Sequence, residues 1–87
     1  MKIKITEISQ TCRAYPSQWE GKTENNRSVY IRYRRGHLTV QISKPGETIS
    51  KALSEKYIFD EQVGDAYAGC MSLEELQNHT KDVIIWS

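Results

Sequence analysis

The chain has 87 residues, a formal net charge of +1 and 38% hydrophobic residues. A chain of this length forms one domain, and its ordinary hydrophobic and charged fractions argue against intrinsic disorder and against a fibrous or repeat protein. Its near-balanced charge, with a sequence pI of about 7.8, is also lower than that of most dedicated nucleic-acid-binding domains.

The beginning of the chain and its two cysteines indicate which cellular compartment and which cofactors to expect. "MKIKITEISQ" alternates charged residues with isoleucine instead of forming the apolar block of a secretory signal, and the longest apolar run, "VIIW", is too short to cross a bilayer. Cys12 and Cys70 are the only cysteines, and they form no CxxC motif. We therefore expect a cytoplasmic protein with reduced thiols, no metal, no cofactor and no membrane association.

Charge is distributed unevenly along the chain. Up to Lys51 there are ten Lys/Arg against four Asp/Glu, a balance of +6, and from Ala52 onward there are two against seven, a balance of −5. The two halves can neutralise each other within the fold, or they can leave opposed faces that attract separate partners or a second copy. Monomer and homodimer both stay open.

The first predicted element is a strand in "KIKITEI", residues 2–8, with Ile3 and Ile5 on one side. Residues 10–18 are predicted to be a connection, because Pro16 cannot donate to a strand ladder.

Residues 18–43 predict two hairpins that share a strand, with turns at Asn25-Asn26 and at Arg35-Gly36. A two-residue loop at the second turn pairs Tyr33 with Leu38. One face of this hairpin then carries core-type side chains: Val29, Ile31, Tyr33, Leu38, Val40 and Ile42. The other face carries polar or amphipathic ones: Tyr30, Arg32, Arg34, His37, Thr39 and Gln41. A slip of one residue would mix the two sets, so the pattern specifies its own register.

The position of Trp19 depends on the first turn. A plain two-residue loop places Trp19 across from Arg32 on the polar face, where it could anchor a partner. One extra loop residue places it across from Ile31 in the core. We favour the second register, because Gly21 then faces Val29.

The remaining elements are shorter. "TISKALSEKY", residues 48–57, has the apolar spacing of a short amphipathic helix, and residues 58–70 read as a loop with one short extended piece. Ser72 and Glu75 fit a capping box, which predicts a helix from Leu73 to about Thr80, and residues 82–87 predict a terminal strand. The sum is an α+β domain: an antiparallel sheet of about four strands, comprising two consecutive hairpins and a terminal strand, with one or two short helices packed on one face.

The polar face of the second hairpin is the candidate site. The open face of an antiparallel sheet is polar in any case, so a plain solvated surface is the simplest interpretation. Guanidinium groups on a rigid sheet nevertheless suit carboxylate or phosphate recognition. We expect Tyr30, Arg32, Arg34 and His37, together with Gln41 and Trp19, to bind a macromolecular partner. The near-balanced charge of the whole domain favours a protein as the partner. Nucleic acid is the alternative, because bases can stack on tyrosine.

Catalysis is a weaker interpretation of the same residues. Tyrosine, arginine and histidine on one sheet resemble the site of metal-independent endoribonucleases of the toxin class. In such a site His37 would be the general acid or base, and Arg32 and Arg34 would hold the scissile phosphate. No GxGxxG, P-loop or HExxH motif occurs, so we expect a protein that is not an enzyme.

The stretch "YPSQWEGKTENNRSVYIRYRRGHL" resembles a family of short bacterial proteins that combine a Trp-Glu-Gly-Lys segment with a Tyr-x-Arg-Tyr-Arg strand. The resemblance covers about a third of the chain and implies no activity. The short single-domain format is also similar to that of phage-borne inhibitors, such as anti-CRISPR proteins, and of immunity proteins. The function expected is therefore that of a small binding protein of the inhibitor or immunity type.

Overall fold

The computed structural model describes residues 3–12, 17–64 and 71–86. In chain order their elements are β1 Ile3–Cys12, β2 Ser17–Thr23, β3 Ser28–Arg34, β4 His37–Ile42, α1 Ile49–Ala52, β5 Tyr57–Gln62, α2 Leu73–Thr80 and β6 Ile84–Trp86. These six strands lie side by side in one curled sheet, in the order β5-β4-β3-β2-β1-β6. Neither helix is long and apolar enough to cross a membrane, as far as the described residues go.

The α+β class is confirmed, but the sheet is larger than expected and is mixed. Strands β1 to β4 form an antiparallel meander, and β5 adds to β4 in the antiparallel sense. Strand β6 pairs with β1 in parallel, with Ile3 opposite Ile84. The expectation of about four strands in a purely antiparallel sheet was therefore wrong. Strand β1 also continues to Cys12, through residues that were assigned to a connection.

The second hairpin has the predicted register. Tyr33 pairs with Leu38, and Arg34 pairs with His37. The two residues of the turn, Arg35 and Gly36, have φ angles of 54° and 77°. Positive φ at both central residues defines the turn whose twist matches that of paired strands, so this turn fixes which side chains reach which face.

The first hairpin has the favoured register with one extra loop residue. Trp19 pairs with Ile31, and the Thr23 amide donates to the Arg27 carbonyl at 3.0 Å, which leaves three residues in the loop. Asn26 has a φ of 60°, the left-handed conformation that asparagine tolerates better than most residues.

The core lies on one face of the sheet. Its buried hydrophobic residues come from β1 to β4, α2, β6 and the segment before α2: Ile5, Trp19, Val29, Ile31, Tyr33, Leu38, Val40, Ile42, Met71, Leu76 and Ile84. The capping box of α2 is confirmed, since Ser72 Oγ accepts from the Glu75 amide at 3.1 Å and Glu75 Oε1 accepts from the Ser72 amide at 3.2 Å. Leu76 of α2 is buried in this core, so α2 packs on the core face of the sheet.

Helix α1 is shorter than predicted and lies on the other face. It ends at Ala52 instead of Tyr57, and Tyr57 begins β5. The side chain of Gln41, which points to the polar face, donates to the Leu53 carbonyl at 3.2 Å and to the Glu55 carbonyl at 2.8 Å. These bonds hold the end of α1 over the polar face, so the two helices pack on opposite faces and the expectation of a single helical face was wrong.

Three features singled out in the sequence lie outside the described residues. They are Pro16, Cys70 and the side chain of Cys12. The expectation of reduced thiols therefore stays a prediction.

Candidate binding groove on the polar face

The sheet brings five of the six predicted site residues into one groove. Cross-strand pairing sets Arg34 beside His37, and Tyr30 lies on the same face of β3. Together with Leu53, which follows α1, and side chains from β5 they line a groove of about 580 Å³. The lining residues, which we call the polar groove, are Tyr30, Arg32, Arg34, His37, Thr39, Gln41, Leu53, Tyr57 and Asp60.

Arg32 lies at the centre of this groove, paired with Thr39 on one side and with Gln18 on the other. Its Nε is buried and has no hydrogen-bond partner among the described residues. A buried donor without an acceptor costs about 1–3 kcal/mol. The floor of the groove therefore contains a guanidinium group that no described carboxylate neutralises.

His37 and Asp60 form the one ion pair found within the described segments, between His37 Nε2 and Asp60 Oδ1. It ties β4 to β5 at the rim of the groove, and both side chains are 47% exposed. An ion pair this exposed contributes at most about 1 kcal/mol to stability. Its main consequence is electrostatic, because it places a carboxylate among the basic side chains.

One end of the polar groove is apolar. Leu53 is 51% exposed and Tyr57 is 53% exposed. The two hydrogen bonds from Gln41 to the carbonyls of Leu53 and Glu55 fix the segment that carries them. Exposed large hydrophobic side chains in a groove that also contains arginines are typical of interaction surfaces. We call Leu53 and Tyr57 the apolar end.

The other end is basic. A second depression of about 570 Å³ is lined by Arg34, Arg35, His37 and Gln62, and it continues the polar groove because both contain Arg34 and His37. Gln62 Nε2 donates to the Arg35 carbonyl at 2.8 Å and holds the turn in place. Neither Arg34 nor Arg35 forms an ion pair within residues 3–12, 17–64 and 71–86. We call Arg34 and Arg35 the basic end.

Two of the predicted binding residues are buried. Trp19 is 1% exposed in the core, so it cannot contact a partner, and this corrects the predicted site. Gln41 is 8% exposed beneath the segment that follows α1. It still lines the groove, and its amide donates to the carbonyls of Leu53 and Glu55.

Three residues of the groove are not among the predicted site residues. The predicted helix of residues 48–57 contains Leu53 and Tyr57, and the predicted loop of residues 58–70 contains Asp60. The signal that could have identified strand β5, and with it Tyr57 and Asp60, is the run Tyr57-Ile58-Phe59, which is rich in the aromatic and β-branched residues that favour strands.

Within the described segments, no group of three His, Cys, Asp or Glu side chains is placed to hold a metal ion. The chemistry that the groove offers is that of two exposed guanidinium groups, one half-buried guanidinium group, tyrosine hydroxyls and the His37–Asp60 pair. Guanidinium groups and hydroxyls suit anions, and the exposed side chains of Leu53 and Tyr57 suit apolar groups.

No known protein family, no curated protein and no solved structure matches the chain. The resemblance to short bacterial proteins therefore stays a prediction. What the chain does has to be inferred from the polar groove.

Proposed function

We propose that the chain is a small non-enzymatic binding protein, of the inhibitor or immunity type, that uses the polar groove to bind a protein partner. The supporting observation is that Arg32 and Arg34 line one groove together with the exposed side chains of Leu53 and Tyr57. Tyrosine and arginine are the residues that most often dominate the free energy of protein–protein association. A rigid sheet also presents them with little loss of conformational entropy on binding.

A protein fits this groove better than a nucleic acid does. Asp60 lines the groove, and Glu20 lies opposite Tyr30 on the same face of the sheet. A phosphate backbone needs a continuous track of cationic groups, and each of these carboxylates would repel it. A protein surface can offer a basic or hydrogen-bonding group to each carboxylate.

The second candidate function is that of a small RNA-binding protein or metal-independent ribonuclease. It is supported by the contact between His37 and Asp60 beside Arg34, because a carboxylate orients an imidazole for proton transfer. In that case RNA cleavage would be lost in His37→Ala, and RNA binding would weaken steeply with salt.

The proposal can be tested by affinity capture from a host-cell lysate with three baits: wild type, Arg34→Glu and Lys4→Glu. Lys4 is an exposed residue of β1, three strands away from β4, so its reversal changes net charge by the same amount outside the groove. We expect one protein to be captured by wild type and by Lys4→Glu and to be depleted at least tenfold with Arg34→Glu.

Equal capture by all three baits would contradict the proposal. So would an RNA gel shift by wild type that Arg34→Glu abolishes, because it would make nucleic acid the partner. Circular dichroism of each bait is the control for folding.

A further inference from the structure

We infer that the polar groove receives an extended protein segment that carries an apolar or aromatic side chain and, about four residues away, one or two carboxylates. This inference rests on the proposed function and specifies the chemistry of the partner. It follows from the distance between the two ends of the groove and from its unpaired charge.

The distance between the ends comes from the sheet register. Tyr57 of the apolar end pairs with Gln41, and Arg34 of the basic end pairs with His37. Gln41 and His37 are four residues apart on β4, so the two ends are about 13 Å apart along the strand direction at about 3.3 Å per residue. An extended segment of the partner spans the same distance with the same number of residues.

An extended chain and a helix span the groove with different numbers of residues. An extended segment covers about 13 Å with four residues, whereas an α-helix rises about 1.5 Å per residue and needs about nine. Bound peptides whose apolar and acidic residues are about nine positions apart would therefore indicate a helix and overturn the extended segment.

The charge of the basic end selects carboxylates. Arg34 and Arg35 are exposed and have no ion-pair partner among the described residues, whereas His37 already contacts Asp60. Guanidinium groups bind carboxylates with two parallel hydrogen bonds. A segment with lysine or arginine at this point would be repelled.

A second copy of this chain is the competing occupant. Its most suitable segment is the first turn of α2, where Leu73 is 40% exposed and precedes Glu74 and Glu75. That segment is helical, and its apolar and acidic side chains are adjacent instead of about 13 Å apart. A separate protein segment therefore matches the groove better.

The test is selection from a random peptide display library on three targets: wild type, Arg34→Glu/Arg35→Glu, and Lys4→Glu/Lys44→Glu as a matched reversal at exposed lysines. On wild type and on the lysine control we expect peptides with an apolar or aromatic residue three to five positions from Asp or Glu. On the arginine variant we expect the acidic position to become Lys or Arg. A synthetic peptide of the wild-type consensus should bind the arginine variant at least tenfold more weakly.

The inference would be overturned if the peptides enriched on wild type lacked acidic residues. It would also be overturned if wild type enriched the same peptides as the Arg34→Glu/Arg35→Glu variant. Peptides whose binding is lost in Leu53→Ser and Tyr57→Ser but not in the arginine variant would overturn it while leaving the proposed protein-binding function intact. If light scattering shows a dimer that Arg34→Glu converts to monomers, the occupant of the groove is a second copy of the chain and the inference is overturned. Displacement of the consensus peptide by single-stranded RNA at submicromolar concentration would overturn both proposals.

Discussion

Replacing Gln41 with alanine should destabilise the fold by about 2 kcal/mol, because this buried side chain holds the segment after α1 on the sheet. Its amide donates two hydrogen bonds, at 3.2 Å to the Leu53 carbonyl and at 2.8 Å to the Glu55 carbonyl. A net contribution of about 1 kcal/mol for each bond gives the total. For a domain of this size the midpoint of thermal unfolding should fall by about 8–16 °C.

The measurement is urea unfolding followed by circular dichroism, with Thr39→Ala as the control. Thr39 lies on the same strand and face as Gln41, but its hydroxyl makes one hydrogen bond at 3.5 Å, to the Arg32 carbonyl. At that length the bond is weak, so the control should lose less than about 0.5 kcal/mol. If both variants lost the same free energy of unfolding, Gln41 would not anchor the apolar end and our explanation of its burial would be refuted.

Three further substitutions test other parts of the fold. Gly21→Ala should cost about 1–3 kcal/mol in the free energy of unfolding, because the added methyl group would overlap the backbone carbonyl of Glu7; a variant as stable as wild type in urea would show that β1 lies farther away. Ser72→Ala removes the cap of α2 and should cost about 1 kcal/mol in the same assay, and no loss would mean that the capping box does not form in solution. Asp60→Asn should change the free energy of unfolding by less than about 1 kcal/mol, because its pair with His37 is exposed; a larger loss would give the pair a structural role.

The second hairpin could be predicted in full because two independent signals agree. The alternation of apolar and polar residues specifies one register, and glycine at Gly36 specifies the turn that produces it. The pairing of Tyr33 with Leu38 follows from either signal alone. The first hairpin needed one further choice, and the register that sets Gly21 opposite Val29 was the correct one.

The strands that were missed or shortened lack this alternation for physical reasons. Strand β5 is at the edge of the sheet, and five of its six side chains are exposed, so no apolar period marks it. The register of β1 shifts between Ile5 and Glu7 and again between Gln10 and Cys12. Such irregularities break the period of two on which strand prediction depends.

Helix α1 ends before the predicted residue because of a contact with a residue that is distant in the sequence. Ile49, Ala52, Leu53 and Tyr57 have helical spacing, but a helix of this length gains little from its own hydrogen bonds. Gln41, 12 residues away from Leu53 in the chain, takes two carbonyls of this segment as its acceptors. No local pattern contains that contact.

The candidate site was predictable only in part for the same reason. The register alone places Tyr30, Arg32, Arg34 and His37 on one face. The apolar end and the Asp60 carboxylate come from segments that fold back over or beside that face, and the register of the hairpin contains no information about them. The proposed partner chemistry depends on both parts together.

The most direct test of the groove as a contact surface is photo-crosslinking in the host cell. A benzophenone amino acid would replace Tyr57 in one variant and Ile85 in another, two side chains of similar exposure at 53% and 47% on strands at opposite edges of the sheet. We expect a discrete protein adduct from position 57 that is absent from position 85. An adduct from position 85 alone, or the same adduct from both positions, would contradict the assignment of the polar groove as the binding site.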